Sequence, residues 1–150
     1  MHPDCLFCDI ARGRSPAHVV FEDRRFIVFA DRAPIRPGHL QIVPRAHYPC
    51  FDDLPPALAG GLIRLGQRLA KVLKAEYRVA RVGFVLTGND VPHVHAHLVP
   101  MQEASDITSR RYIPLDEVPF AAPEPLDTPI RLTVARGDTL MNLITSAGVD

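Results

Sequence analysis

The sequence has no surplus of charge of either sign. Lysine plus arginine and aspartate plus glutamate number 17 each, so the formal net charge at pH 7 is zero. Proteins that bind a nucleic-acid polymer or an anionic membrane surface use a basic excess, and we expect neither partner. The chain also lacks any run of about 18 apolar residues, the length that a membrane-spanning helix needs, so we expect no membrane span.

Cysteine is scarce, and its placement is uneven. Only three cysteines are present, and two of them form the pair Cys5 and Cys8. The first ten residues lack the basic start and apolar stretch of a secretory leader, so we expect a cytoplasmic protein. In a reducing compartment a CxxC pair is more often a metal or redox site than a structural disulfide.

The composition is otherwise that of one globular domain with an ordinary core, since 47% of the 150 residues are hydrophobic. Apolar residues at helical spacing between 58 and 73 predict one long helix, capped by Asp52 or Asp53. A short helix is predicted near the N-terminus, and the predicted strands are 18–22, 26–30, 40–43, 82–87 and 91–99. Antiparallel strands with helices indicate an α+β fold.

Residues 91–99 contain the most informative pattern in the chain. His93, His95 and His97 alternate with apolar residues, and successive side chains of a strand point to opposite faces. The apolar residues therefore face the core, and the histidines share the other face. Strand residues advance about 3.3 Å each, so the outer histidines stand roughly 13 Å apart and the row cannot all bind one metal ion. We expect the row to divide between catalysis and metal binding.

The pair Cys5 and Cys8 supplies half of a tetrahedral zinc site, which needs two further ligands. An end member of the histidine row can provide one of them. The other candidates are His2, His18, His39, His47 and Cys50. A redox pair and a pair of small core residues stay open as alternatives.

Three blocks of the sequence together resemble the histidine triad (HIT) family. HVHAHLV at 93–99 matches its H-φ-H-φ-H-φ-φ signature, in which φ is apolar. FAD, PGH and LQIVPRAH, in that order between residues 29 and 47, are similar to its F-x-D…P-G-H-x-φ-φ-φ-P-K-x-H block. CLFCDI at 5–10 is similar to its N-terminal block. The resemblance covers roughly residues 4–101.

The resemblance implies a HIT-like α+β fold: a mainly five-stranded antiparallel sheet, one long helix and a short N-terminal helix, commonly in a homodimer. It implies a nucleotide site in which His95 attacks the α-phosphate and forms a covalent nucleotidyl-histidine. His97 would contact the phosphate or the leaving group, and His39 would support the row. By comparison with the zinc-bearing relatives, the implied ligands of a structural zinc ion are Cys5, Cys8, His47 and His93.

The position of a purine nucleoside follows from the same resemblance. Asp31 would accept hydrogen bonds from the ribose hydroxyls. Backbone N–H groups of the turn at 88–91 would meet the phosphate, with Asn89 in the place of the family's glutamine. The residues of an apolar slot for the base would be Leu6, Phe7, Ile10 and Phe29, for which core packing is the open alternative.

Departures from the family pattern lie on both sides of the histidine row. Asp90 adds a negative charge near the expected phosphate, and Met101 replaces the usual arginine. Residues 115–150 match no block of the family, so we expect a HIT domain at 1–114 followed by a C-terminal extension, either an arm or a lid.

The implied activity is that of a hydrolase or transferase that cleaves a nucleoside 5′-phosphate from a leaving group. Phosphoramidates, dinucleoside polyphosphates and aminoacyl-adenylates are the substrate classes that the resemblance suggests. Two alternatives stay open. One is a nucleotidyltransferase that uses phosphate as the acceptor, and the other is a non-catalytic nucleotide-binding regulatory module.

Overall fold

Five strands and two α-helices form the regular structure of residues 5–88 and 90–107, the part of the chain that this computed structural model describes. In chain order the elements are α1 (Leu6–Ala11), β1 (Val19–Glu22), β2 (Phe26–Ala30), β3 (Leu40–Pro44), a 3-10 turn (Phe51–Asp53), α2 (Pro56–Tyr77), β4 (Arg81–Leu86) and β5 (Ala96–Met101). The strands form one sheet in the order β1-β2-β3-β5-β4, and all neighbours are antiparallel. The predicted α+β fold, with its long and short helices, is confirmed. The predicted boundary at residue 114 lies outside the described residues.

One face of the sheet packs against α2. Leu62 and Leu69 of the helix are fully buried in a core cluster that contains Ile42 of β3. Helix and sheet approach closely at Gly66, where a Cβ atom would lie 2.5 Å from the ring of Phe84. Because each buried leucine is worth about 1.5–3 kcal/mol, this packing holds the helix on the sheet. Among the described residues, no helix combines the length and the apolar composition needed to cross a membrane.

The first turn of α2 lacks the predicted carboxylate cap. Pro56 is the first residue of the helix, where the missing N–H costs no hydrogen bond, and no side chain caps it. Asp52 and Asp53 lie in the preceding 3-10 turn, where Oδ2 of Asp53 accepts a hydrogen bond from the N–H of Cys50 at 3.2 Å. The prediction that one of these carboxylates caps the helix is wrong, because Pro55, which has no side-chain acceptor, occupies the N-cap position.

The short helix α1 covers the opposite face of the sheet. Phe7, Cys8 and Ile10 are buried in a second apolar cluster with Phe29 and Val43, whose side chains alternate with those that face α2. A helix of six residues is not stable alone in water. Its stability therefore comes from this packing and from further contacts at its N-terminal end.

The strand that carries the histidines begins at Ala96, later than the predicted residue 91. Its ladder with β3 ends at the pair Ile42 and Ala96. The next hydrogen-bonding position on β3 is Pro44, which has no N–H to donate. Val94 donates its own N–H to the carbonyl of Tyr48 at 2.8 Å, so the chain leaves the sheet at this point.

The predicted histidine row is therefore only partly a strand. His97 lies on β5, whereas His93 and His95 lie in the irregular segment before it. The apolar half of the prediction is confirmed, because Val94 and Leu98 are buried in the main core. His93 and His95 are also buried, because α1 covers this side of the sheet and its Phe7 contacts both rings.

A salt bridge joins the loop before β3 to the segment after β5. Nε and Nη2 of Arg36 donate hydrogen bonds to Oδ1 of Asp106 at 3.0 and 2.8 Å. Oδ2 of Asp106 accepts hydrogen bonds from the backbone N–H groups of Gln102 and Glu103. The Asp106 side chain is only 5% exposed, and that of Arg36 is 27% exposed. We call this contact the Arg36–Asp106 latch.

Replacing Asp106 with asparagine should lower the free energy of unfolding by about 1–3 kcal/mol at pH 7, because charge-assisted hydrogen bonds are weakened. Burial alone would raise the pKa of Asp106, but hydrogen bonds from Arg36 and the backbone outweigh it and lower that pKa. The contribution is therefore complete above the pKa of the unfolded carboxyl, about 3.9, and is lost as the pH falls through the lower folded value. Urea unfolding at pH 7 and at about pH 3 measures the difference.

Glu103→Gln is the matched control for the latch. Glu103 lies 3.5 Å from Arg36, but its side chain is 57% exposed, so its loss should cost less than about 0.5 kcal/mol. A deficit of Asp106→Asn that is equal at both pH values would contradict the ionic origin of the effect.

Candidate active site

Two cysteines and two histidines converge beside α1. Cys5 is the N-cap residue of the helix and Cys8 lies in its first turn, while His47 follows β3 and His93 precedes β5. Sγ of Cys5 is 3.3 Å from Nδ1 of His93. Sγ of Cys8 is 3.4 Å from Nδ1 of His47 and 3.5 Å from Nδ1 of His93, and the two Nδ1 atoms are 3.2 Å apart. We call these four residues the Cys–His cluster.

The spacing of the cluster matches a tetrahedral zinc site. With Zn–N near 2.05 Å and Zn–S near 2.3 Å, such a site separates N from S by about 3.5 Å and N from N by about 3.3 Å. The observed separations of 3.2–3.5 Å agree closely. Nε2 of His93 donates a hydrogen bond to the carbonyl of Pro44 at 2.8 Å, so the lone pair lies on Nδ1, within the cluster. The four residues therefore fit a zinc ion.

Burial sets the protonation of the cluster. It raises the pKa of Cys8, which the neighbouring Cys5 raises further, and it lowers the pKa of His93. Zinc requires thiolates and neutral imidazoles. The imidazole of His93 is therefore ready to bind, whereas the thiol of Cys8 must release its proton to the solvent when a metal enters.

The ring of His95 is held in a single tautomer. Nδ1 lies 2.7 Å from the carbonyl oxygen of His93, and because a carbonyl only accepts, Nδ1 carries the proton. In the neutral ring the lone pair then lies on Nε2, which is buried and has no hydrogen-bond partner among the described residues. Oδ1 of Asp90 lies 3.3 Å from Nε2, but a carboxylate has no proton to donate to a lone pair. In the neutral ring, Nε2 of His95 thus carries a lone pair that meets no hydrogen-bond donor among the described residues.

His39 and His97 form a second chain of fixed tautomers. The N–H of Ile35 donates to Nδ1 of His39 at 3.2 Å, so the proton of neutral His39 lies on Nε2 and is donated to Nδ1 of His97 at 2.9 Å. The remaining proton of His97 is then on Nε2. The rings of His97 and His95 lie 4.9 Å apart. Burial lowers the pKa of His39 and of His97, which keeps both rings neutral near pH 7.

Asp31 lies beside these two histidines and is fixed by hydrogen bonds. Its Oδ1 accepts from the N–H of Ala33 at 2.8 Å, and its Oδ2 accepts from Nε2 of Gln41 at 2.5 Å. Burial would raise the pKa of Asp31, but the hydrogen bonds from Gln41 and Ala33 outweigh it, and that pKa is lowered. Asp31 is therefore an anion at neutral pH, with Oδ2 only 3.5 Å from Nε2 of His39.

Gln41 is a site residue that the sequence reasoning missed. It pairs with His97 across the ladder of β3 and β5, so both side chains lie on one face of the sheet. Its Oε1 is buried without a hydrogen-bond partner among the described residues. A buried amide inside the apolar strand LQIVP was the available signal, because such strands rarely bury a polar side chain without a purpose.

The apolar residues predicted for the base slot lie in two environments. Phe7, Ile10 and Phe29 are buried in the cluster under α1, as the core-packing alternative predicts, whereas Leu6 is 41% exposed. The edge of Phe7 meets the ring of His95 with centroids 4.9 Å apart. The cluster therefore forms one wall beside Nε2 of this ring.

A cleft of about 280 Å³ opens on another side of His95. Its walls come from the segment at 49–52 and from Leu86, Thr87 and Gly88 at the end of β4. Asn89, predicted to meet the phosphate, follows these residues in the chain and lies outside the described residues.

Purified protein should contain one zinc ion per chain, and its removal by a chelator should lower the melting temperature. Closing the cluster ties α1 to the sheet, and at about 2–4 °C per kcal/mol a loss of several kcal/mol means a drop of roughly 10 °C. Elemental analysis and thermal unfolding measure both effects. Cys5→Ser should lose the metal, whereas Cys50→Ser, at an exposed free thiol, should keep it. Metal-free protein purified without chelator would refute the site.

Known proteins resemble this chain both in sequence and in structure. The HIT domain family model matches residues 12–104. The HIT-like protein MJ0866 of Methanocaldococcus jannaschii is 33% identical over 122 residues, which cover 76% of this chain and 95% of that protein. Adenosine 5′-monophosphoramidase HNT1 of Saccharomyces cerevisiae is 30% identical over 100 residues, which cover 66% of this chain and 63% of the yeast protein.

A solved structure has a similar fold. It is the crystal structure of a zinc-bound histidine triad family protein from Mycobacterium smegmatis, with a TM-score of 0.71, 24% identity, and coverage of 97% of this chain and 96% of that one. The family model matches more than half of the chain, and the archaeal relative is matched over almost its full length. The resemblance that the histidine motif suggested is thereby confirmed, and the chain belongs to the histidine triad (HIT) family.

Proposed function

We propose that the protein is a nucleotide hydrolase that releases a nucleoside 5′-phosphate from a leaving group through a covalent intermediate on His95. The observation that carries the proposal is the His95 ring itself. Its Nδ1 proton is bound by the His93 carbonyl, so its Nε2 offers a buried lone pair without a hydrogen bond. A neutral imidazole in this state is a good nucleophile near pH 7. The yeast relative named as an adenosine 5′-monophosphoramidase supports this class of reaction.

In the first half of the reaction, Nε2 of His95 attacks the α-phosphorus. The N–P bond forms while the bond to the leaving group breaks, and the leaving group takes the bonding electron pair. Nε2–H of His97 donates a hydrogen bond to the leaving group, which takes the proton it needs from solvent. Positive charge develops on the His95 ring, and the carbonyl oxygen of His93, already 2.7 Å from Nδ1, stabilises it.

Water completes the reaction. The attacking water gives its proton to solvent, while Nε2–H of His97 donates a hydrogen bond to a phosphate oxygen. The new O–P bond forms as the N–P bond breaks, and the electron pair returns to Nε2 of His95. His39 donates to His97 throughout and so keeps that ring in one orientation during both halves. Both histidines end in their starting states.

The nucleoside would lie on the side of Asp31. Its carboxylate is anionic and oriented by Gln41, which suits it to accept hydrogen bonds from two ribose hydroxyls. Backbone N–H groups of the turn at 88–91, which includes Asn89, would bind the phosphate. The purine base would contact the apolar set Leu6, Phe7, Ile10 and Phe29, of which the exposed Leu6 offers the accessible surface.

Asp90 must turn away from His95 when an anionic phosphate arrives. At 3.3 Å from Nε2, its carboxylate would repel the phosphate oxygens. The side chain is 67% exposed, so it can rotate into water at little cost.

Zinc in the Cys–His cluster would be structural in this proposal. Four protein ligands close the coordination shell and leave no position for a substrate. When bound, the ion supplies a cross-link between α1 and the sheet. The thiols of Cys5 and Cys8 are free, which suits a reducing compartment, and we include a cytoplasmic location in the proposal.

The extent of the domain belongs to the same proposal. We place its end near residue 114, ten residues beyond the match to the family model. Residues 115–150, which lie outside the described residues, would then form an appended arm or lid.

His95→Ala should reduce turnover by about 10³-fold or more, while nucleotide binding changes little, because the covalent step is lost and the nucleoside contacts remain. Wild-type protein quenched in alkaline denaturant, in which a phosphorus–nitrogen bond survives, should carry an adenylyl mass on His95 when it is sampled during turnover of adenosine phosphoramidate. His97→Ala should form the same adduct slowly. Single-turnover kinetics and peptide mass spectrometry measure these results.

His18→Ala is the control, since His18 is exposed and lies before β1. Its turnover should equal that of the wild type. An adduct on another residue, or near-normal turnover of His95→Ala, would refute the mechanism. Addition of inorganic phosphate separates hydrolysis from transfer, because a transferase would make a nucleoside diphosphate from the same adduct.

We also propose a twofold homodimer that shares the outer edge of β4 and part of α2. β4 is the end strand of the sheet, and an open strand edge invites pairing with a second copy. Ile63 on α2 is 54% exposed, which adds apolar surface. Light scattering should give twice the chain mass at micromolar concentration, and Ile63→Glu should shift the mass toward that of one chain. A monomeric wild-type protein would contradict this proposal.

A further inference from the structure

We propose that Asp31, His39 and His97 form a second metal site, for a transition-metal ion, and that its occupation blocks the reaction. This metal triad is separate from the Cys–His cluster and shares no residue with it. The binding of the ion stands on geometry alone. The inhibition rests on the function proposed above.

The three ligand atoms lie at the right distances from a common point. Nε2 of His39 is 2.9 Å from Nδ1 of His97 and 3.5 Å from Oδ2 of Asp31. Nδ1 of His97 is 4.0 Å from the same oxygen. A circle through three points with these separations has a radius of about 2.1 Å, which equals the usual metal–nitrogen and metal–oxygen distances of about 2.0–2.2 Å. An ion near the centre of the circle would reach all three atoms without movement of the backbone.

The chemistry of the donors selects the kind of ion. Two imidazoles and one carboxylate suit first-row transition metals such as nickel, copper and zinc, and they are a poor match for the all-oxygen preference of magnesium and calcium. Gln41 donates to the ligating oxygen of Asp31, which orients the carboxylate from outside the ligand shell. Three protein ligands leave coordination positions for water.

Binding requires one proton to move within His39. Nε2 of His39 must offer a lone pair to the metal, so its proton passes through solvent to Nδ1, and the hydrogen bond from the N–H of Ile35 is lost. Ile35 lies in an exposed loop, where its N–H can bind water instead. The new Nδ1–H of buried His39 then faces the N–H of Ile35 without an acceptor, which costs about 1–3 kcal/mol, less than three metal–ligand bonds contribute.

A bound ion would use the groups on which turnover depends. It would occupy both atoms of the hydrogen bond that orients His97, and it would take the carboxylate oxygen proposed to bind ribose. Metal and nucleotide should therefore exclude one another, each weakening the binding of the other by the same factor.

Calorimetric titration of the zinc-loaded protein with Ni²⁺ tests the site. We expect one additional ion per chain in the wild type and an affinity weaker by about tenfold or more in Asp31→Asn and in His39→Gln. His18→Ala should bind Ni²⁺ as the wild type does. His95→Ala should also keep the ion, because His95 is not a ligand. Unchanged affinity in both ligand variants, or loss of the ion in His95→Ala, would overturn the proposed ligand set.

X-ray absorption at the nickel edge provides a second measurement that needs no variant. The expected shell has nitrogen and oxygen at about 2.0–2.2 Å, two imidazoles and no sulfur. Sulfur in the shell would place the ion in the Cys–His cluster and overturn the proposal.

Turnover separates the two parts of the inference. Ni²⁺ at half-occupancy should halve the hydrolysis of adenosine phosphoramidate, and full occupancy without loss of turnover would overturn the inhibitory role. Ni²⁺ bound by the expected ligands, in a protein that hydrolyses no nucleotide, would support the site and contradict the proposed function.

Discussion

The hydrogen bond from His95 to the carbonyl of His93 is the contact on which the site depends. Through its backbone, His93 fixes the tautomer of the neighbouring ring. Through its side chain, the same residue joins the Cys–His cluster and is itself oriented by the carbonyl of Pro44. Displacement of α1 would therefore disturb Nε2 of His95, although no residue of that helix takes part in the proposed chemistry.

Because the histidine rings are buried, these hydrogen bonds determine which ring nitrogen carries the proton. A neutral imidazole has one donor and one acceptor nitrogen, so a single fixed partner determines both. The N–H of Ile35 fixes the tautomer of His39, and the N–H of His39 fixes the tautomer of His97. The carbonyl of His93 fixes the tautomer of His95. In a buried site these hydrogen bonds are stronger than in water, so each partner holds its ring in one tautomer. Backbone groups therefore fix the positions of the histidine protons before a substrate binds.

Local sequence patterns predicted the elements well and their ends less well. Period-two alternation correctly placed Val94 and Leu98 in the core, and helical spacing found α2. The start of β5 could not be read from its own residues, because it depends on Pro44, about fifty residues away. The Arg36–Asp106 latch was missed for the same reason, since a pair so distant in the chain leaves no periodic signal. The triad motif predicted the histidines, whereas the amide of Gln41 in an apolar strand could be assigned to the site once the register set it opposite His97.

That register has a consequence for synthesis of the protein. Phe7 and Asp31 leave the ribosome early, yet His97 is needed to complete the pairing of β3 with β5. Until about residue 100 has emerged, a nascent chain can form the β1–β2 hairpin and α2, but it cannot assemble the cysteine ligands with His93. A truncated product that ends within α2 would therefore contain Cys5, Cys8 and His47 but lack His93, and the Cys–His cluster would stay incomplete.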